Sequence, residues 1–130
     1  PLLDAPGILR LGYAPERQFW LRASAVDACI NLRYPAAGET SGVTIRLMGI
    51  GKPVIMSAGE ETAQFPEGAC LKVDPGPGEA EMLADYMLWL AASPEAGREI
   101  GRRGGEYIRE HHALPAVARQ YWEVLCACRG

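Results

Sequence analysis

The fold is decided by residues 27–56, which read DACINLRYPAAGETSGVTIRLMGIGKPVIM. This stretch opens with an almost continuous apolar run from Asp27 to Leu32. Such a run is typical of a short strand that helices cover on both faces. A polar loop with Gly and Pro follows, from Arg33 through Ser41. The stretch therefore begins with a buried strand that ends in a polar loop.

The second half of the stretch predicts a helix and another strand. We expect Val43 to Ile50 to be helical, since Gly51 is a favourable residue just past a helix C-terminus and Pro53 follows it. The apolar residues 54–56 then predict the next strand. Because the connection between the two strands carries a helix, we expect them to pair in parallel.

The same alternation continues on both sides of this stretch. Upstream, residues 8–13 predict a short strand, and Pro15 to Ala25 predicts a helix that begins with Pro and Glu. Downstream, residues 69–73 predict a fourth strand. The predicted fold class is therefore α/β, a Rossmann-like doubly wound parallel sheet, with a helical C-terminal region.

That C-terminal region predicts three helices: the first and third carry apolar residues on one face, and the second is marked by its Ser93-Pro94 start. The first includes Met82 to Leu90, the second runs from Ser93 to about His111, and the third begins near Leu114. Gly104 and Gly105 lie inside the second helix, and Gly costs about 1 kcal/mol against Ala in a helix interior. These glycines weaken the prediction of one unbroken helix there.

Composition bounds the class of protein. The chain has 130 residues, of which 48% are apolar and 22% charged, as expected for one globular domain. The net charge of −3 gives no reason to expect nucleic acid as a partner. No run approaches the ~20 apolar residues of a membrane span, and residues 1–6 do not resemble a signal peptide. We expect residues 1–130 to be one truncated domain of a longer cytoplasmic protein, with attachment to a membrane surface left open.

Several residue types suggest chemistry but are better explained as structure. The four cysteines match neither zinc nor redox spacings, so we expect them reduced and without metal. His111 and His112 fall at a helix end, where a cation complements the helix dipole. Glu60 and Glu61 lack a third metal ligand. The three tryptophans are expected to pack in the core or between helices, and Lys52 is expected to be exposed.

The loop after the strand at residues 27–32 carries the candidate site. In open α/β sheets, ligands bind beyond the carboxyl ends of the strands, beside helix N-termini. This loop offers a carboxylate, two hydroxyls and two glycines where a helix starts, in the run Gly38, Glu39, Thr40, Ser41 and Gly42. Backbone N–H groups there favour an anion such as a diphosphate, and Glu39 is able to accept hydrogen bonds from sugar hydroxyls.

A structural interpretation of the same loop stands beside this one. Thr40 or Ser41 is a good N-cap for the following helix, and Glu39 suits a solvated position near the positive end of the helix dipole. Caps of this kind occur in most helices, so the local pattern alone favours the structural role.

The order of motifs resembles family 4 (group 1) glycosyltransferases. In that family a strand with an acidic residue leads to an acidic loop, a helix, and a "G-x-P-V" motif that opens the next strand; Asp27, Gly51, Pro53 and Val54 match this frame. The turn at Pro75, the Ser93-Pro94-Glu95 helix start and the Arg119-Gln120-Tyr121 run resemble the family's C-terminus.

The resemblance implies the C-terminal, donor-binding half of a GT-B glycosyltransferase, with an N-terminal acceptor-binding domain elsewhere in the longer chain. It implies a nucleotide-diphosphate-sugar donor, retaining transfer without a metal or other cofactor, and an unknown acceptor such as a carbohydrate or a lipid-linked glycan. The donor-binding residues would be Gly38, Glu39, Thr40, Ser41, Gly42 and Arg46, whereas no catalytic residue is assigned. We expect the isolated chain to be inactive as an enzyme.

Two departures from the family pattern bear on the donor. The family has two glutamates with seven residues between them; Gly38 stands at the first position, one residue before Glu39, and Arg46 stands at the second, where a carboxylate would hold the ribose hydroxyls. Arg46 only donates hydrogen bonds, so it would reach a phosphate or pair with Glu39 instead. Gln64 stands where relatives often carry Glu. A non-catalytic nucleotide- or sugar-binding module is therefore the alternative, and a flavodoxin-like regulatory domain ranks third.

Overall fold

The computed structural model describes residues 4–35 and 38–128, which form a small parallel sheet with five α-helices. In chain order the elements are α1 (Glu16–Ala25), β1 (Cys29–Asn31), α2 (Gly42–Gly49), β2 (Val54–Ser57), a 3₁₀ helix (Glu60–Thr62), β3 (Leu71–Val73), α3 (Glu79–Ala92), α4 (Pro94–His111) and α5 (Leu114–Ala127). The predicted α/β class is confirmed.

The sheet has the order β1-β2-β3, and both neighbouring pairs are parallel. The register places Ile30 opposite Ile55, and Ile55 opposite Leu71. All four residues of β2 are buried, because this strand is central. The connection between β2 and β3 contains only the 3₁₀ helix, so this parallel pair forms without the α-helical crossover that the first pair has.

The prediction of a strand at residues 8–13 is wrong. These residues have no regular secondary structure, and they pair with no strand in the described part of the chain. Leu9 is 84% exposed and Leu11 is 61% exposed. The prediction rested on apolar composition alone, and a run whose side chains face solvent gains nothing from burial in a sheet.

Helix α4 is continuous from Pro94 to His111, which confirms the predicted helix although its glycines weakened that prediction. Gly101, Gly104 and Gly105 are all buried. A Cβ atom on Gly104 would lie 2.7 Å from the carbonyl oxygen of Ala69, so only a glycine lets α4 approach this closely. The close packing of α4 on the segments after α2 and before β3 offsets the low helix propensity of these residues.

The predicted roles of Lys52 and of two tryptophans are also corrected. Lys52 is half-buried, and its Nζ donates to the carbonyl oxygens of Ser24 and Val26, at 2.8 Å each, at the end of α1. Trp89 and Trp122 are 42% and 64% exposed, because the outer faces of α3 and α5 carry apolar residues that no described element covers. Trp20, in contrast, packs against the core.

Two of the cysteines and both histidines occupy structural positions, whereas Cys126 and Cys128 are exposed. Cys29 and Cys70 are free thiols, and burial raises the pKa of both. His111 and His112 lie at the end of α4, as predicted. The ring of His112 stacks on Phe65 with 5.9 Å between centroids. Among the described residues, no helix is long and apolar enough to cross a membrane.

Candidate functional site

A wide cleft of about 1280 Å³ opens where β1 ends and α2 begins. Its walls are formed by residues 11–14, Glu16, Phe19, Trp20, Arg22, Asn31, Arg33, Glu39, residues 41–43 and Arg46. Of the predicted donor-binding residues, Glu39, Ser41, Gly42 and Arg46 line the cleft, whereas Gly38 and Thr40 do not. Parallel strands place their carboxyl ends at one edge of the sheet, which is where such clefts form.

Ser41 is the N-cap of α2, as the structural interpretation of the loop expected. Its Oγ accepts a hydrogen bond from the backbone N–H of Thr44 at 3.4 Å and another from Nδ2 of Asn31 at 2.8 Å. The start of α2 is thus tied to the last residue of β1. Ser41 keeps a partly exposed side chain on the cleft, so capping and facing a ligand are compatible at this position.

Thr40 is turned toward a neighbouring segment instead. Its Oγ1 accepts from Nε2 of Gln64 at 2.7 Å and donates to the carbonyl oxygen of Glu61 at 3.2 Å. Gln64 is thereby in direct contact with the candidate loop, although 24 residues separate it from Thr40. The Thr40 side chain anchors the loop to the 3₁₀ helix that follows β2. Thr40 is therefore bonded to this neighbouring segment and does not line the cleft.

Glu39 is paired with an arginine that the sequence did not single out. Nη2 of Arg33 lies 3.6 Å from Oε1 of Glu39, and the two side chains are 36% and 72% exposed. Arg33 is the second residue after β1, and its backbone N–H donates to the buried Oγ of Ser57 at 2.9 Å. A basic residue just past the carboxyl end of a strand is the signal that would have identified it.

Arg46 does not pair with Glu39, contrary to one expectation. Its Nη1 lies 3.3 Å from Oε1 of Glu16, and its guanidinium lies 5.9 Å from the centroid of the Trp20 ring. The same Glu16 oxygen accepts from Nε1 of Trp20 at 3.4 Å. The helices α1 and α2 are joined through this group, in which Arg46 remains 63% exposed on the cleft wall.

Three positive side chains, Arg22, Arg33 and Arg46, therefore line one cleft with the N-terminus of α2. Helix N-termini attract anions because their first N–H groups have no partner within the helix. Arg33 and Arg46 each have an exposed carboxylate partner, and exposed ion pairs are weak enough to exchange for a ligand. The arrangement suits an anionic ligand that also carries hydroxyl groups, which Glu39 would accept. In the described residues, no cluster of His, Cys, Asp or Glu is placed to hold a metal ion.

Comparison with known structures identifies the fold. Sucrose-phosphate synthase from Thermosynechococcus elongatus superposes with a TM-score of 0.74 at 25% sequence identity, over 93% of this chain and 31% of the synthase. The chain has a glycosyltransferase-like fold. Its three-stranded parallel sheet and helices match a Rossmann-like fragment of GT-B type, which confirms the predicted fold class.

Sequence comparison adds a partial relative. Alginate biosynthesis protein AlgK from Azotobacter vinelandii is 30% identical over an alignment of 109 residues; the match covers 69% of this chain and 24% of that protein. No protein-family model matches the chain. The chain thus spans about a quarter of the curated relative and less than a third of the synthase, at 24% and 31% of their lengths.

Proposed function

We propose that this chain is the nucleotide-sugar-binding part of a glycosyltransferase, the C-terminal donor half of a family 4 (group 1) enzyme. The structural similarity to sucrose-phosphate synthase over 93% of the chain carries the proposal. That protein is named for making a sugar phosphate ester, and the curated relative is named for the biosynthesis of alginate, a polysaccharide. Both names favour chemistry on carbohydrates.

The diphosphate of the donor would lie at the N-terminus of α2. Ser41, Gly42 and the guanidinium of Arg33 line the cleft there. Arginine binds phosphate oxygens through paired N–H groups, and the helix N-terminus adds unpaired backbone donors. These groups would stabilise the charge that develops on the diphosphate as it leaves the sugar, which favours transfer without a metal.

The sugar and the nucleoside would occupy opposite sides of that diphosphate. Glu39 is the exposed carboxylate nearest to Arg33, so it is the acceptor for sugar hydroxyls. Arg46 lies one helical turn, about 6 Å, beyond Gly42 and would contact the nucleotide. Gly38 and Thr40 would shape the loop, since Gly38 has a φ of +73° and Thr40 is bonded to the segment after β2.

The longer protein would transfer the sugar with retention to a carbohydrate or lipid-linked glycan, held by an N-terminal acceptor domain. We expect this chain alone to bind the donor without turnover. The matched test in the longer protein compares Glu39→Ala and Arg46→Ala with Glu95→Ala and Arg98→Ala, whose side chains pair with each other on α4. We expect sugar transfer to be lost in Glu39→Ala and Arg46→Ala and to be unchanged in the two α4 variants. Unchanged transfer in all four would contradict the proposed site.

A non-catalytic nucleotide- or sugar-binding module is the second candidate, and one observation favours it. Arg46 stands where the family resemblance calls for a carboxylate, and it is engaged with Glu16 and Trp20. Donor binding by the longer protein without any sugar transfer or donor hydrolysis would establish this alternative.

The direct test is a two-dimensional amide NMR titration of the chain with UDP, GDP, ADP and their common sugar conjugates. Shifts that cluster between Gly38 and Arg46 are expected with one of the bases, and that base would identify the donor. NMR detects the weak affinity expected of half a site. Shifts confined to other parts of the chain, or none with any nucleotide, would count against donor binding by this domain.

A further inference from the structure

Asn31, the last residue of β1, uses both protons of its side-chain amide on the start of α2. Its Nδ2 donates to Oγ of Ser41 at 2.8 Å and to Oγ1 of Thr44 at 2.6 Å. Thr44 is buried with 2% exposure, so its contact with Asn31 is inside the protein. Asn31 therefore connects the end of a strand with two hydroxyls in the first turn of the helix.

These bonds determine whether the Ser41 hydroxyl is still able to donate or accept a further hydrogen bond. A hydroxyl accepts two hydrogen bonds and donates one. Oγ of Ser41 already accepts from Asn31 and from the backbone N–H of Thr44. Both acceptor positions are taken, and the described residues provide no acceptor for its proton among their hydrogen bonds. The Ser41 proton is thus directed away from Asn31 and Thr44, on a side chain that lines the cleft.

Thr40 shows the opposite arrangement and provides a contrast within the same loop. Its hydroxyl donates its proton to the carbonyl oxygen of Glu61 while it accepts from Gln64. Of the two hydroxyls in this loop, only that of Ser41 has a proton free for a ligand in the described structure.

We infer that Asn31 is a positioning residue that holds the Ser41 hydroxyl as a hydrogen-bond donor to a phosphate oxygen. The identity of that anion as the donor diphosphate rests on the proposed function. Asn31 also lines the cleft, but both protons of its amide are already used on Ser41 and Thr44. Its effect on binding passes through Ser41, which makes the two residues energetically coupled.

The test measures this coupling with inorganic pyrophosphate and with UDP as probes. The affinities of the chain are compared, by NMR titration, for Asn31→Ala, Ser41→Ala and the double variant. Ser93→Ala is the matched control, because Ser93 precedes α4 without a side-chain capping bond. A hydrogen bond to a charged group contributes enough that Ser41→Ala should weaken pyrophosphate binding roughly tenfold.

The expected pattern is non-additive. Asn31→Ala should weaken pyrophosphate binding by roughly threefold or more, since the Ser41 hydroxyl is then free to rotate, and the double variant should bind no worse than Ser41→Ala. Asn31→Asp is a second variant with nearly the same shape. It accepts the Ser41 proton instead of donating to the oxygen, so it should bind pyrophosphate more weakly than Asn31→Ala.

Three results would overturn the inference: additive losses, unchanged binding in Asn31→Ala, or no pyrophosphate shifts around Ser41 in the natural chain. The proposed function fails differently. Coupled binding of pyrophosphate without binding of any nucleotide or nucleotide sugar would support the role of Asn31 while removing the donor assignment.

Discussion

Gly101 of α4 lies directly on the backbone of Gly51, such that a Cβ atom on Gly101 would overlap the Gly51 carbonyl oxygen. Gly51 itself has a φ of +78°, in the left-handed region that favours glycine. The middle of α4 thus packs, backbone against backbone, on the turn between α2 and β2. This contact holds α2, and with it the start of the candidate site, against the longest helix of the described chain.

Substitution of Gly101 by Ala should destabilise the protein, despite the higher helix propensity of Ala. The added methyl has no space, so backbone must move at a cost of about 1–3 kcal/mol or more. Gly97→Ala is the matched control, since its Cβ would contact Leu90 at an ordinary 3.4 Å. The free energy of unfolding in urea measures both. Equal stability of the two variants would refute the packing argument.

Replacement of Arg33 by Ala should weaken nucleotide binding without unfolding the protein. The Arg33–Glu39 pair is exposed, and exposed ion pairs contribute about 1 kcal/mol or less to stability. A charged hydrogen bond to phosphate is stronger, so the affinity for a nucleoside diphosphate should fall about tenfold. Arg98→Ala on α4 serves as the control. The same dissociation constant for both variants, by NMR titration, would exclude Arg33 from the site.

Lys52→Met should loosen α1. The Lys52 ammonium donates to two carbonyl oxygens at the end of that helix, and Met keeps the length of the side chain without its donors. We expect a loss of about 1 kcal/mol, as is typical for charge and hydrogen bonding at a helix C-terminus. Hydrogen exchange should rise in α1 more than in α4. Lys52→Arg, which retains donors and charge, should show a smaller effect; an equal effect would point to lost packing instead.

Stability should fall as the pH decreases through the range in which His112 titrates. Burial, and then the nearby His111, lower the pKa of His112 in the folded chain below its ordinary value near 6.5. Between the two pKa values the unfolded chain binds more protons than the folded chain, so the stabilisation is complete above the unfolded pKa and is lost as the pH falls through the folded one.

The measurement compares urea unfolding at pH 7.5 and 5.5 for the natural chain and for His112→Phe, which preserves a ring against Phe65. The pH-dependent loss should be smaller in the variant. Hydrogen bonds from Arg102 and Arg103 lower the pKa of Glu99 to about 2. Glu99 therefore titrates below this pH range and does not contribute to the loss of stability. An identical loss in both proteins would assign the effect to other groups.

Local signals were sufficient to predict most of the elements. Gly51 and Pro53 marked the end of α2, the Ser93-Pro94 pair marked the start of α4, and the apolar run after Lys52 marked β2. These signals act through backbone geometry within a few residues, which a sequence shows directly. The Ser41 cap belongs to the same class, because its partner Thr44 is three residues away.

Contacts between distant residues explain what the sequence did not predict. The glycines of α4 lower the intrinsic helix propensity of this segment. They stabilise the fold only because they let the backbone of another segment pack closely against the helix. Arg46 pairs with Glu16, which lies 30 residues earlier in the sequence, and a pair this distant cannot be predicted from hydrophobic periodicity. The run at residues 8–13 has the composition of a strand, but pairing depends on a neighbouring strand and not on composition. The donor-binding assignment of the loop from Gly38 to Arg46 stays a prediction.

The contact between Trp20 and Arg46 gives the molecule an optical property. Indole fluorescence responds to nearby charge, and the Arg46 guanidinium lies 5.9 Å from the Trp20 ring on the cleft wall. Trp89 and Trp122 sit on α3 and α5, away from that wall. A ligand that draws Arg46 toward itself changes the surroundings of one emitter in three, so the protein carries its own signal for occupancy of the cleft.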